Sequence, residues 1–131
     1  MHVKLKDLPP HLLQRLRDSG QLPKKREAAA DGMNGTERAY GAHLDQLKAQ
    51  GVVTWWAFEH VRLKIASGKK AAWYTPDFLV KFSDGRLEAV EIKGSFFREA
   101  AKVRLKVAAG LFPWPFVVVR KIGGAWVREE F

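Results

Sequence analysis

The stretch Thr75-Pro76-Asp77-Phe78-Leu79-Val80-Lys81-Phe82-Ser83-Asp84-Gly85-Arg86-Leu87-Glu88-Ala89-Val90-Glu91-Ile92-Lys93 decides how the chain is read. Two runs rich in Val, Phe, Leu and Ile flank Ser83-Asp84-Gly85, which is the pattern of a β-hairpin. A three-residue loop ending in glycine fits a type I turn followed by a left-handed residue. Such a loop pairs Phe82 with Arg86, and equal steps along both strands set Asp77 opposite Glu91. Opposed side chains share one face of the sheet, with Cβ atoms roughly 5 Å apart. Lys93, two residues past Glu91, lies on that face too. Val90 and Ile92 point to the other face, into a core.

Two facing carboxylates repel, and folding gains nothing by placing them so. They become sensible around a divalent cation, which takes oxygen ligands and offsets both charges. A neighbouring lysine then stabilises an attacking water or the charge growing on a phosphate. The plainer alternative is a solvated hairpin whose polar face happens to carry Asp, Glu and Lys.

With 131 residues the chain predicts one domain, long enough for a core that needs no disulfide or metal staple, preceded by a basic arm over 1–32. The absence of cysteine excludes thiolate nucleophiles, zinc ribbons and disulfide frameworks. Its 23 basic and 14 acidic residues give a net charge of +9, which favours a polyanionic partner such as nucleic acid. No apolar run approaches the roughly 20 residues that span a bilayer, and the N-terminus lacks the apolar core of a signal peptide. The expectation is a cytoplasmic protein without a membrane partner or an organic cofactor.

In the arm, Pro9 and Pro10 open a short helix with Leu12, Leu13 and Leu16 as its apolar stripe. Gly20 and Pro23 close it, and Lys24-Lys25-Arg26 leads into a tether. The arm either grips a phosphate backbone, packs on a partner subunit, or is a solvated extension. Next, Asn34 or Thr36 caps a helix to about Ala49, with Gly51 as its stop and Tyr40, Leu44 and Leu47 as its buried stripe. Glu37 falls within roughly 60° of that stripe. It is either a third acid near the facing carboxylates or a first-turn glutamate favoured by the helix dipole.

Val52 to Phe58 reads as a strand, and Val61, Leu63 and Ile65 alternate with polar positions as in a second. Between them, Glu59 is a reserve acidic ligand and His60 a surface or bridging residue. Lys69 and Lys70 sit in a turn where they suit a phosphate. After Lys93, a helix from about Ser95 to Ala109, closed by Gly110 and Pro113, buries Phe97, Ala100, Ala101, Leu105 and Ala108. Its Arg98, Lys102 and Lys106 recur every four residues as a basic stripe, a solvated face or a row of phosphate contacts. Phe116-Val117-Val118-Val119 is unbroken and apolar, as in a central strand buried on both faces. With the hairpin strand and the helix it forms a right-handed, parallel β-α-β unit. Gly123-Gly124 turns into a last strand, Ala125 to Arg128. The five tryptophans are expected in core or interface packing, with base stacking as the alternative.

Pro76-Asp77 followed by Glu91-Ile92-Lys93 resembles the signature of the PD-(D/E)XK nuclease superfamily. Within it, residues 34–131 resemble the small phage and prophage endonucleases of the endonuclease I type, which are Holliday-junction resolvases. The resemblance implies an α/β, restriction-endonuclease-like αβββαβ core, a mixed central sheet flanked by helices, over 33–131. It implies Mg²⁺ or Mn²⁺ held by Asp77, Glu91 and the Ile92 carbonyl, with Glu37 completing the acidic cluster directly or through water. Glu37, Asp77, Glu91 and Lys93 become the catalytic set, and Lys69, Lys70, Arg98, Lys102 and Lys106 the DNA-binding residues, Lys102 foremost among the helix residues. The activity implied is hydrolysis of DNA phosphodiesters in branched or duplex DNA by a homodimer, in a bacterial or phage-infected cell. The alternatives are a non-catalytic DNA-binding module of the same fold, or the nuclease subunit of a transposition or restriction assembly.

Overall fold

Asn34 accepts the Glu37 N–H through its side chain at 2.9 Å, and so starts the first long helix. In the computed structural model, which describes residues 9–12, 15, 32–94 and 98–131, this helix α1 runs Gly35–Ala49. Gly51, at φ +78, turns the chain out of it. The strands β1 (Val53–Phe58), β2 (Leu63–Ala66), β3 (Ala72–Tyr74), β4 (Phe78–Phe82) and β5 (Leu87–Lys93) follow. Helix α2 (Glu99–Leu111) precedes β6 (Phe116–Ile122) and β7 (Ala125–Glu130). The chain divides into two units between Gly32 and Met33. In the first, residues 10–12 and 15 are helical and Leu12 N–H donates to the Pro9 carbonyl at 3.0 Å. Leu13 and Leu16 of the expected stripe, with Gly20 through Arg26, lie outside the described residues.

The hairpin has the expected register. Phe82 N–H donates to the Arg86 carbonyl at 2.9 Å, and Gly85 takes the left-handed conformation at φ +91. Leu79 pairs with Ala89 and Phe78 with Val90. Five strands form one mixed sheet in the order β1-β4-β5-β6-β7, antiparallel except for β5 and β6. The parallel β5-α2-β6 crossover agrees with the sequence reading. So does the burial of Phe116 through Val119, since β6 has a strand on each side and a cover on each face.

Alternation along these strands makes two cores. Tyr40 and Leu44 of α1 pack with Val53, Phe78, Val80, Val90, Ile92, Val117 and Val119 on one face. Gly41 sits against the Trp56 indole, where an added Cβ would come within 3.2 Å of the ring. On the other face Leu105 and Ala108 of α2 pack with Leu79, Ala89, Phe116 and Val118. Leu63 and Tyr74 join that second core from a separate antiparallel ribbon, β2–β3. The molecule is therefore α/β, with a mixed sheet between helical layers.

Some boundaries differ from the sequence reading. Helix α2 starts at Glu99 and passes through Gly110 to Leu111, because a lone glycine with helical backbone is tolerated within a helix, and Pro113 follows the stop. Ala100 is exposed and Ala101 half-buried, so the buried side is narrower than expected, and Phe97 lies outside the described residues. Strand β7 continues to Glu130, two residues past the expected end, because β6 offers backbone partners as far back as Val117. No helix among the described residues is long and apolar enough to cross a membrane.

Among the described residues, one charged side chain is buried, on the α1 side of the sheet. Glu88 is 3% exposed, and its Oε2 accepts from Arg128 Nη2 of β7 at 2.7 Å. Its Oε1 has no partner among the described residues. The Tyr40 hydroxyl faces the same pair, and burial above all pushes it up to about 12. A buried carboxylate with its one cation removed costs about 3 kcal/mol. Arg128→Met should therefore lower stability by roughly that amount in urea unfolding, and the further change Glu88→Gln should recover part of it. Equal stability of Arg128→Met and wild type would show that the pair does not hold β7 in place.

Candidate active site

The hairpin register brings Asp77 and Glu91 together just beyond the last paired residues, Phe78 and Val90. Neither carboxylate is open to water on all sides. Asp77 is half-buried, and its Oδ2 accepts the Ile92 N–H at 2.8 Å. The Asp77 carbonyl accepts the Glu59 N–H at 2.8 Å, which ties the end of β1 to the start of β4. Glu91 Oε2 accepts from the Tyr74 hydroxyl at 2.8 Å. Glu91 Oε1 lies 3.2 Å from Lys93 Nζ, and both side chains are mostly covered. Glu91 and Lys93 thus share a face, as alternation along β5 requires.

The electrostatics follow from this enclosure. Burial first, and the Glu91 charge second, push the Asp77 carboxyl up to about 7. The Ile92 N–H and Lys93 oppose the shift but do not cancel it. Glu37 is also raised, by burial and by Glu59 and Glu91, against the Asn34 backbone hydrogen bond. Tyr74 is held strongly in its neutral form by burial and by the Glu91 charge. The hydroxyl therefore keeps the proton it donates to Glu91 more firmly than an ordinary tyrosine does.

Both readings of Glu37 hold at once. It closes a capping box, with its Oε1 2.8 Å from Asn34 Nδ2 and its Oε2 3.4 Å from the Asn34 nitrogen. It also stands close enough to Asp77 and Glu91 to raise the pKa of the first and be raised by the second. Glu59 joins the same field, and it is the non-glycine residue at positive φ among those described, +46. With Glu37 turned to Asn34, no three acidic or histidine side chains among the described residues stand together as a metal ligand set.

The donor set itself still fits a hard divalent cation. Asp77 and Glu91 offer carboxylate oxygens, the Ile92 carbonyl is adjacent in the chain, and thiolates are absent. A cation there would offset the Glu91 charge, which after burial is the second cause of the Asp77 shift. His60 is exposed and sits edge-on to Trp55 at 5.2 Å, outside this set, as the sequence reading had it.

Sequence reasoning missed two residues. Tyr74 comes from the separate ribbon, and only its alternation with the exposed Trp73 hinted that it faces inward. Arg120 pairs in register with Lys93 across the parallel β5–β6 ladder, half-buried, so a second cation flanks the site. That register is set by the crossover through α2, which no local pattern encodes. The expected DNA contacts lie apart from the carboxylates in sequence. Arg98 caps α2 and is exposed, Lys102 is half-buried, and Lys106, Lys69 and Lys70 are exposed.

Comparison with protein-family models, curated proteins and solved structures finds no match to this chain. The chemistry of the site therefore carries the functional reading.

The raised carboxyl has a stability consequence in the metal-free protein. The ordinary value of Asp77 is 3.8 and its folded value about 7, so the folded state keeps a proton the unfolded chain has released. Stability from this group is complete below pH 3.8 and lost as pH rises through 7. Asp77→Asn keeps an acceptor for the Ile92 N–H and removes the charge. In EDTA it should be more stable than wild type at pH 8 by on the order of 2 kcal/mol, and the gain should shrink by pH 5. A gain independent of pH, or a loss at pH 8, would contradict the assignment.

Proposed function

We propose that residues 33–131 form a metal-dependent DNA endonuclease with a restriction-endonuclease-like core. The carrying observation is the half-buried pair Asp77 and Glu91, opposed by the hairpin register, with Lys93 in contact with Glu91. With the β2–β3 ribbon set aside, the order α1, β1, β4, β5, α2, β6 follows the αβββαβ layout of the resembled superfamily. The net charge of +9 supports a polyanionic substrate.

In this reading Asp77, Glu91 and the Ile92 carbonyl hold Mg²⁺ or Mn²⁺, and Glu37 or Glu59 completes the acidic set. The cation supplies charge neutralisation at the phosphate and a lowered pKa for the water that attacks it. The protein's own groups do the positioning. Tyr74 O–H fixes Glu91 Oε2, and Ile92 N–H fixes Asp77 Oδ2, so the two carboxylates keep their facing arrangement. Lys93 presents N–H donors to the attacking water or to a non-bridging phosphate oxygen, where negative charge grows as the P–O bond breaks. Water adds to phosphorus, the leaving oxygen takes a proton from solvent, and a 5′- or 3′-phosphate and a hydroxyl result. Arg98, Lys102, Lys106, Lys69 and Lys70 hold the flanking backbone. The substrate preferred in this reading is branched DNA, cut on two strands by a homodimer.

The test is cleavage of labelled four-way junction, flap, linear duplex and single strand with Mg²⁺, Mn²⁺ or EDTA. Metal-dependent cutting is expected, strongest on the junction, with Glu91→Ala and Lys93→Ala each at least about 100-fold slower. Cutting in EDTA, or full activity in Glu91→Ala, would refute the assignment of the site. Tight, salt-sensitive binding without cutting under any metal would favour the DNA-binding module of the same fold.

A further inference from the structure

Between Glu59 and Asp77 the chain carries Arg62, Lys64, Lys69 and Lys70 and no acidic residue. The ribbon β2–β3 gives this segment two unlike faces. Leu63 and Tyr74, opposed in register, are buried in the α2-side core. Lys64 and Trp73, the next opposed pair, are exposed on the other face. The Arg62 guanidinium carbon stands 4.4 Å from the centre of the Trp73 ring, and Lys64 Nζ 5.5 Å from it. Trp73 is 39% exposed, so a substantial part of its large ring faces water in the position it holds. What the ring does is attract and order two cations on its surface.

That ordering matters for binding. A free arginine or lysine loses side-chain freedom when it grips an anion, and one already resting on an indole has lost part of it. A guanidinium stacked on a ring keeps its edge N–H groups available to phosphate oxygens.

We propose that Arg62, Lys64 and Trp73, with Lys69 and Lys70 at the ribbon's tip, dock the sugar–phosphate backbone of a DNA arm beside the phosphate to be cut. The choice of DNA rests on the nuclease reading above, while the shape and charge of the surface stand without it. Charge complementarity selects the occupant, since four cations with no carboxylate in the segment suit a polyanion and disfavour a basic protein. Position supports it as well. Trp73 and Tyr74 are neighbours in β3, one turned to the exposed face and the other hydrogen-bonded to Glu91. The ribbon thereby carries the cationic surface on one face and, on the other, a group that orients the catalytic carboxylate.

The experiment is fluorescence anisotropy of labelled duplex and four-way junction in EDTA, where no cutting intervenes, over a range of salt. Arg62→Ala/Lys64→Ala should weaken binding and make the slope of log Kd against log salt shallower by about 1.8. Trp73→Ala changes no charge, yet should weaken binding severalfold, and Trp73→Phe should retain most of the affinity. Lys48→Ala, an exposed lysine in the last turn of α1, should leave binding unchanged. Arg62→Gln/Lys64→Gln repeats the test with smaller changes of packing, and a thermal melt of each variant confirms its fold. Wild-type affinity and slope in both double variants would overturn the proposal, as would Trp73→Ala binding like wild type, or wild type binding no DNA. If the ribbon variants bind poorly but wild type never cuts, the docking surface stands and the nuclease reading falls. If all variants bind equally while wild type cuts, the docking surface alone falls.

Discussion

Asp77 and Glu91 repel each other across a hairpin, in a setting where burial leaves little water to screen them. The fold holds them there nonetheless. Phe78 and Val90, the adjacent pair, are completely buried between α1 and the sheet, so the register cannot slip without turning the core outward. The cost of the facing acids is thus borne by the apolar packing on the opposite side of the same strands. Ile92 N–H holds one oxygen of Asp77, while the Tyr74 hydroxyl and Lys93 hold the two oxygens of Glu91. A structure arranged in this way is expected to gain stability when a cation arrives.

The layers around that hairpin explain how separate parts of the chain reach one place. Helix α1 brings Glu37 in from one side through its capped first turn, where a single residue serves both the helix end and the acidic field. The end of β1 brings Glu59, fastened by its N–H to the Asp77 carbonyl. The ribbon β2–β3 brings Tyr74, and the parallel neighbour β6 brings Arg120 beside Lys93. Each contact comes from a different element, so the arrangement depends on the tertiary fold more than on any one segment.

The hairpin was legible in the sequence because its signals are local. Ser83-Asp84-Gly85 demands one turn geometry, and that turn fixes the register by which Asp77 meets Glu91. Asn34, the Tyr40 and Leu44 stripe and the unbroken Phe116–Val119 run were readable for the same reason. Non-local features were not. The ribbon's separation from the main sheet, the Arg120–Lys93 pairing and the burial of Glu88 against Arg128 all depend on which elements become neighbours. Periodicity reports which face of a strand is apolar but not what stands opposite it. Helix α2 was placed too early for a related reason. Its apolar pattern alone does not mark Arg98 as the cap, since the Arg98 side chain makes no capping hydrogen bond.

The central claim is that the facing carboxylates exist to hold a divalent cation, and direct binding tests it most closely. Mn²⁺ would be titrated calorimetrically into wild-type protein and into Glu91→Ala, without DNA and at pH 8. The account predicts saturable binding to wild type near one ion per chain, and no saturable binding to Glu91→Ala. Equal heats for the two proteins, or none for either, would contradict it.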